Sequence, residues 1–245
     1  MQVGLFVTCL VDLMRPRIGF ATLKLLERAG CTVVVPPQQT CCGQPGFNSG
    51  DRESGRAMAL RFLGDFEAFD YVVAPSGSCT GMIRCHYAEL FPEDPSLQAR
   101  LNALSARTYE LTQFLVDVLR LERVDSTFAG SCTYHDSCSG LRELGIKEQP
   151  RALIAGIPSA ELREMDKPET CCGFGGTFSI KLGDIATRMA DNKCQDVLST
   201  GADAIVGGDL GCLLNIEGRL RRLGDQHTRV LHVAEVLAGP EPEGD

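Results

Sequence analysis

Two short phrases hold the residues best suited to chemistry: "CCGQPGFNSG" from Cys41 and "CCGFGGTFSI" from Cys171. Bridging two adjacent cysteines strains the backbone, because a disulfide needs separated Cα atoms and converging Cβ vectors. The sulfurs are better used as metal ligands or redox groups. The chain has 12 cysteines and only 4 histidines, so its soft ligands are overwhelmingly sulfur. In a reducing compartment that supply points to metal or redox chemistry before structural disulfides.

The phrases recur because the chain is written twice. Cys9 matches Cys138, Cys41–Cys42 matches Cys171–Cys172, and Cys79 matches Cys212. "DYVVAPSGSC" answers "DAIVGGDLGC", and "RTYELTQFLVDVL" answers "HTRVLHVAEVL". The period is about one small domain, which marks a duplication and not a solenoid. Residues 1–122 form the first expected domain and 123–245 the second, with the junction in "LERVDS".

Each copy alternates apolar, β-branched runs with amphipathic ones. Strands are expected over 3–8, 32–35 and 71–74, and again over 128–134, 152–155 and 204–206; helices are expected over 18–29 and 52–63. The fold class is therefore α/β: two duplicated parallel-sheet domains related by pseudo-twofold symmetry, with helices on both faces. Cys9, Cys79, Cys138 and Cys212 fall just past strand ends, and each Cys-Cys pair lies in a strand-to-helix loop. Ligands of parallel sheets bind outside the carboxyl ends of strands, so each copy delivers four sulfurs to one rim.

Four thiolates can hold zinc, a single iron or an iron–sulfur cluster. Adjacent cysteines do not both point easily at one small ion, but they can straddle a polynuclear cluster. Gly43, Gly173, Gly175 and Gly176 let the backbone come close and turn N–H groups toward sulfur, which would tune such a centre. Cys31, Cys85, Cys132 and Cys194 have no match in the other copy and read as buried small hydrophobes. His135 and Asp136, just before Cys138, are candidates for a hydrogen bond to the centre or for handling a substrate proton. Arg15 and Arg17, after Cys9, could meet an anion.

Bulk properties close off other classes. A net charge of -8 argues against a nucleic-acid binder, and no apolar run has transmembrane length, so the protein is not expected to be integral to a membrane. The first residues read as a strand and not as a signal peptide, which places the protein in the cytoplasm. "FVTCLVDLMRP" has cysteine where a dinucleotide fingerprint would carry glycines, and "CCGFGG" lacks the lysine and hydroxyl of a phosphate loop.

The residues quoted above resemble the cysteine-rich "CCG" domain of the heterodisulfide reductase B subunit and the glycolate oxidase iron–sulfur subunit. The phrases "CCGQPGFNSG", "PSGSC", "YHDSC" and "CCGFGGTFS", with two domains and no ferredoxin extension, resemble the lactate-utilisation branch of that family. The resemblance implies an iron–sulfur electron-transfer subunit of an L-lactate-oxidising complex that yields pyruvate. It implies one [4Fe–4S] cluster per domain, a ferredoxin-like iron–sulfur partner and a third subunit, through which the protein could sit at the inner face of the membrane. The family's Cys-x-x-Cys element has Ser76 and Asp209 in its first position here, which leaves four cysteines per copy in place of five; Ser76 and Asp209 stay as candidate cofactor contacts. Two alternatives remain from the residues and the resemblance: direct catalysis at a cluster, as in a heterodisulfide- or quinone-linked oxidoreductase, and a structural zinc scaffold.

Overall fold

The structure, a computed structural model, describes residues 1–239. Copy one contributes the strands β1 (Gln2–Leu5), β2 (Thr32–Val34), β3 (Tyr71–Ala74) and β4 (Thr108–Glu110). Copy two contributes β5 (Gly130–His135), β6 (Ala160–Leu162), β7 (Ala204–Gly207) and β8 (Arg229–His232). The sheets run β2-β1-β3-β4 and β6-β5-β7-β8, and every pairing is parallel. Strand order reverses between β1 and β3, and between β5 and β7. Loops leaving these neighbours diverge and open a crevice at their carboxyl ends.

The expected strand at 152–155 is corrected. "ALIA" lies inside a helix, Glu148–Ala155, and the strand follows it at Ala160–Leu162. A short apolar run has no period of its own; here Leu153 and Ile154 are buried as one helix face. The edge strands β4 and β8 were not anticipated. Each ends in a buried residue, Glu110 or His232, that caps the helix after it: the Glu110 carboxylate accepts from Thr112 and Gln113 N–H, and His232 Nδ1 accepts from Ala234 N–H.

The copies exchange helices. Helix Arg17–Arg28 of copy one packs on Val233–Ala238 of copy two, and Leu111–Gln113 packs on Glu148–Ala155. One core consequently runs through both copies, joining Leu5, Leu26, Val73 and Phe114 to Tyr134, Ile205, Val233 and Leu237. A second core, with Phe6, Phe62, Phe66, Met82 and Tyr87, belongs to copy one alone. Arg15 and Arg17, the candidate anion contacts, instead pair across the copies with Glu217 and Glu235.

Candidate metal centre

All eight matched cysteines line one cavity of about 290 Å³. The two copies meet there, so the sites face a common space. Cys9 and Cys138 open the helices Cys9–Met14 and Cys138–Arg142 directly after β1 and β5. Cys79 and Cys212 lie in the first turns of Gly77–Gly81 and Leu210–Arg222. Unpaired N–H groups there favour negative charge on sulfur.

The Cys-Cys loops have matched geometry. Gly43 and Gly173 adopt φ of 82° and 85°, a left-handed conformation that turns each amide back to donate to Cys41 Sγ or Cys171 Sγ at 3.4 Å. Glycine is needed for space as well. A Cβ on Gly173 would lie 2.5 Å from the Ala186 carbonyl oxygen, and one on Gly43 would lie 3.0 Å from Met58 Cβ. Phe174 N–H, in place of Gly175 or Gly176, makes the further contact, to Cys172 Sγ at 3.5 Å. Gly175 and Gly176 line the cavity wall.

Cys9 Sγ lies 3.8 Å from Cys41 Sγ, and Cys42 Sγ lies 3.3 Å from Cys79 Sγ. The protons divide unevenly. Hydrogen bonds from Cys42 and Cys9, with the Gly43 amide, hold the Cys41 thiol far below its usual range, while the contact with Cys41 drives Cys9 up. Hydrogen bonds from Cys138 and Cys172 lower Cys171 in the same way, and Cys138 and Cys172 rise. In each copy one cysteine, Cys41 or Cys171, is thus favoured as thiolate while Cys9 and Cys42, or Cys138 and Cys172, hold their protons more tightly and would shed them when a metal binds. Soft sulfur donors, inward amides and a cavity large enough for more than an ion fit a thiolate-held metal centre.

Other sequence candidates have local partners. The Ser76 hydroxyl accepts from Cys79 N–H at 3.3 Å and caps that helix. Asp209 accepts from Ser78 N–H at 2.7 Å and from Ser78 Oγ–H at 3.0 Å. Asp136 is buried in a two-pronged ion pair with Arg151, at 2.8 and 2.9 Å. His135 is also buried, and its ring nitrogens have no hydrogen-bond partner of good geometry. With Cys172 and Cys212 it forms a possible metal-ligating trio, whose donor atoms all lie within 4.8 Å of one another. Burial pushes its imidazole down to about 3, nearby Lys193 adds to this, and the Cys171 thiolate and Pro168 carbonyl oppose it.

Of the unmatched cysteines, Cys31, Cys132 and Cys194 are buried, but Cys85 is exposed, which corrects its reading as a core residue. It lies within a π turn, Met82–His86, whose buried residues are Met82 and Ile83. Two bracing residues escaped the sequence reading. Tyr87 Oη–H donates to the Cys42 carbonyl, and Asn215 Nδ2–H to the Cys172 carbonyl, both at 2.9 Å. They stand eight residues after Cys79 and three after Cys212, so a comparison of the copies does not pair them.

A duplicated parallel sheet with paired cysteines at its switch points defines a class, and the chain belongs to the cysteine-rich domain (CCG) family, whose profile matches residues 3–84 and 132–217. It is 46% identical over 237 residues to lactate utilization protein A of Bacillus cytotoxicus, covering 97% of this chain and 98% of that one. It is 48% identical over 237 residues to the protein of the same name from Geobacillus kaustophilus, again covering 97% and 98%. Among solved structures, a hypothetical protein from Helicobacter pylori shares the fold with a TM-score of 0.69 at 12% identity; the match covers 99% of this chain and 50% of that one. Among the described residues no helix is long and apolar enough to cross a membrane.

Proposed function

We propose that this chain is an iron–sulfur electron-transfer subunit of a system that oxidises L-lactate to pyruvate. Cys9, Cys41, Cys42 and Cys79 would hold one [4Fe–4S] cluster, and Cys138, Cys171, Cys172 and Cys212 the other. The observation that carries the reading is that all eight cysteines line one cavity. Similarity to two proteins named for lactate utilisation supports the substrate class. When bound, such clusters accept and release single electrons. The chain's own part is to hold four of the sulfurs in the first turns of helices and to donate amides to Cys41, Cys171 and Cys172.

Oxidation of lactate to pyruvate removes two electrons and two protons. The cavity is poorly suited to receive the acid itself. Among the described residues its lining includes no lysine or arginine to meet a carboxylate, and it sets the Asp209 carboxyl beside the cysteine sulfurs. This favours relay over direct oxidation and assigns the 2-hydroxy acid to a partner. A ferredoxin-like iron–sulfur subunit and a third subunit are the partners that fit, and a cytoplasmic setting suits free thiols. The five-cysteine chemistry of a heterodisulfide reductase is disfavoured because Ser76 and Asp209 are used as helix-end hydrogen-bond acceptors.

One observation favours a second reading, structural zinc. A tetrahedral zinc with Zn–S of about 2.3 Å places its sulfurs about 3.8 Å apart, and Cys9 and Cys41 have that separation. Iron and acid-labile sulfide assays on one anaerobically purified sample separate the two. About eight of each per chain are expected for two [4Fe–4S] clusters. Zinc without sulfide would overturn the electron-transfer reading.

A further inference from the structure

The two sites differ at the residues behind the sulfurs. His135 stands ahead of Cys138 as Phe6 stands ahead of Cys9. In copy one Phe6 packs edge-on against Phe62, with ring centroids 5.1 Å apart. Phe62 lies one helical turn beyond Met58, which packs under Gly43. In copy two Met189 packs under Gly173, and one turn beyond it is Lys193. An aromatic pair behind the first site is thus replaced behind the second by an imidazole and an amine, 1% and 0% exposed.

The two buried polar groups are not equivalent. Lys193 Nζ donates to the carbonyls of Lys167 and Pro168 at 2.8 and 3.2 Å and braces the chain leading into Cys171–Cys172. The His135 ring has no partner of good geometry. A buried polar group left so is destabilising, whereas phenylalanine fills the matching place in copy one without that penalty. The donor atom of His135 lies within 4.8 Å of both Cys172 Sγ and Cys212 Sγ. An uncharged imidazole is a metal ligand, and its other N–H usually goes to a carbonyl; Pro168 offers one close by.

We propose that the two sites are unlike metal centres: sulfur alone holds the first, and at the second His135 takes one ligand position as a nitrogen donor, in place of Cys172 or Cys212, the sulfurs grouped with it. This rests on the metal-centre reading above. The test is pulsed EPR of the anaerobic, iron-loaded and reduced full chain, prepared with natural-abundance or with 15N-labelled histidine. The expected result is a histidine-nitrogen coupling in one of two signals. It should change with the isotope and disappear in His135→Phe, with iron content retained. The isotope comparison needs no substitution, so it stands even if the variant folds poorly. Two loaded centres without nitrogen coupling would overturn the inference and leave the iron–sulfur reading intact. Coupling that survives in His135→Phe would also overturn it. Failure to bind iron would overturn both.

Discussion

The carboxylate of Asp209, in copy two, accepts two hydrogen bonds from Ser78, in copy one, at 2.7 and 3.0 Å. Both residues line the cysteine cavity, so the contact fixes one site against the other. Asp209→Ala takes the acceptor from the half-buried Ser78 N–H and leaves the Ser78 hydroxyl with Ser76 Oγ alone, and should cost about 1 kcal/mol. Asp209→Asn keeps an acceptor and should cost less. Urea unfolding of the three proteins checks the order; equal midpoints would show that the contact does not hold the copies together.

Buried carboxylates should make stability fall as pH rises. Burial pushes Glu110 up to about 7, opposed by its bonds from Thr112 and Gln113, and burial pushes Asp209 up to about 6. Both folded values lie above the unfolded ones, so the fold binds protons that the unfolded chain has released. Their contribution is fully present near pH 4, declines as pH rises toward 7, and is constant beyond. Glu110→Gln should flatten this decline, making the variant more stable relative to the parent at pH 8 than at pH 5. Unfolding midpoints at the two pH values provide the measurement, and an unchanged difference would refute the assignment.

The loop glycines should not tolerate alanine equally. Gly173→Ala places a Cβ 2.5 Å from a carbonyl oxygen at a positive φ, while Gly43→Ala, at a similar φ, meets the Met58 side chain at 3.0 Å and the Gly55 Cα only at the ordinary contact distance of 3.6 Å. A strained left-handed residue costs about 1–3 kcal/mol, and the carbonyl clash adds to this in the first variant. Thermal melts should rank Gly173→Ala below Gly43→Ala, with metal content per chain following the same order.

Asp136 and Arg151 should matter for folding and not for the metal. Breaking a buried ion pair from one side costs about 3–5 kcal/mol. Asp136→Ala should therefore lower the unfolding free energy by that order while the folded fraction keeps its metal. Full stability with lost metal would instead assign Asp136 to the centre.

Free thiols should sort by position. Cys85 is exposed and outside the cavity, so with metal bound to the cavity cysteines alkylation of the native protein should label Cys85 first, and Cys85→Ser should leave metal content unchanged. Cys42→Ser should remove about half the metal, since one of the two sites loses a ligand. Mass spectrometry of the labelled peptides and metal analysis read both outcomes.

Much of this was legible from residue types. The repeated cysteines, their places past strand ends and the parallel sheets follow from spacing and periodicity. The run at 152–155 misled because four apolar residues suit a buried strand and a helix face equally. The edge strands β4 and β8 carry polar residues at both ends, Thr108 and Glu110 or Arg229 and His232, and run straight into the next helix, so neither shows a bounded apolar run. The contacts of Tyr87 with Cys42, Asn215 with Cys172, and Ser78 with Asp209 join residues far apart in the chain, and no local rule links them. A repeat likewise shows two matched sets of four cysteines but not that they line one cavity. The difference between Phe6 and His135 was in the sequence, but it carries meaning only once the neighbouring sulfurs are placed.

The exchanged helices and the shared cavity limit what half of this chain could do. Copy one's helix Arg17–Arg28 is covered by the last helix of copy two, and Gly77 approaches Gly140 so closely that a Cβ would lie 3.0 Å from its Cα. A polypeptide carrying one copy would expose that helix face and half a cavity. It could bury both only by pairing with a second molecule of itself about a twofold axis, and such a pair would have two identical sites. Joining the halves in one chain removes that symmetry requirement, which is what allows a phenylalanine to stand behind one set of sulfurs and a histidine behind the other.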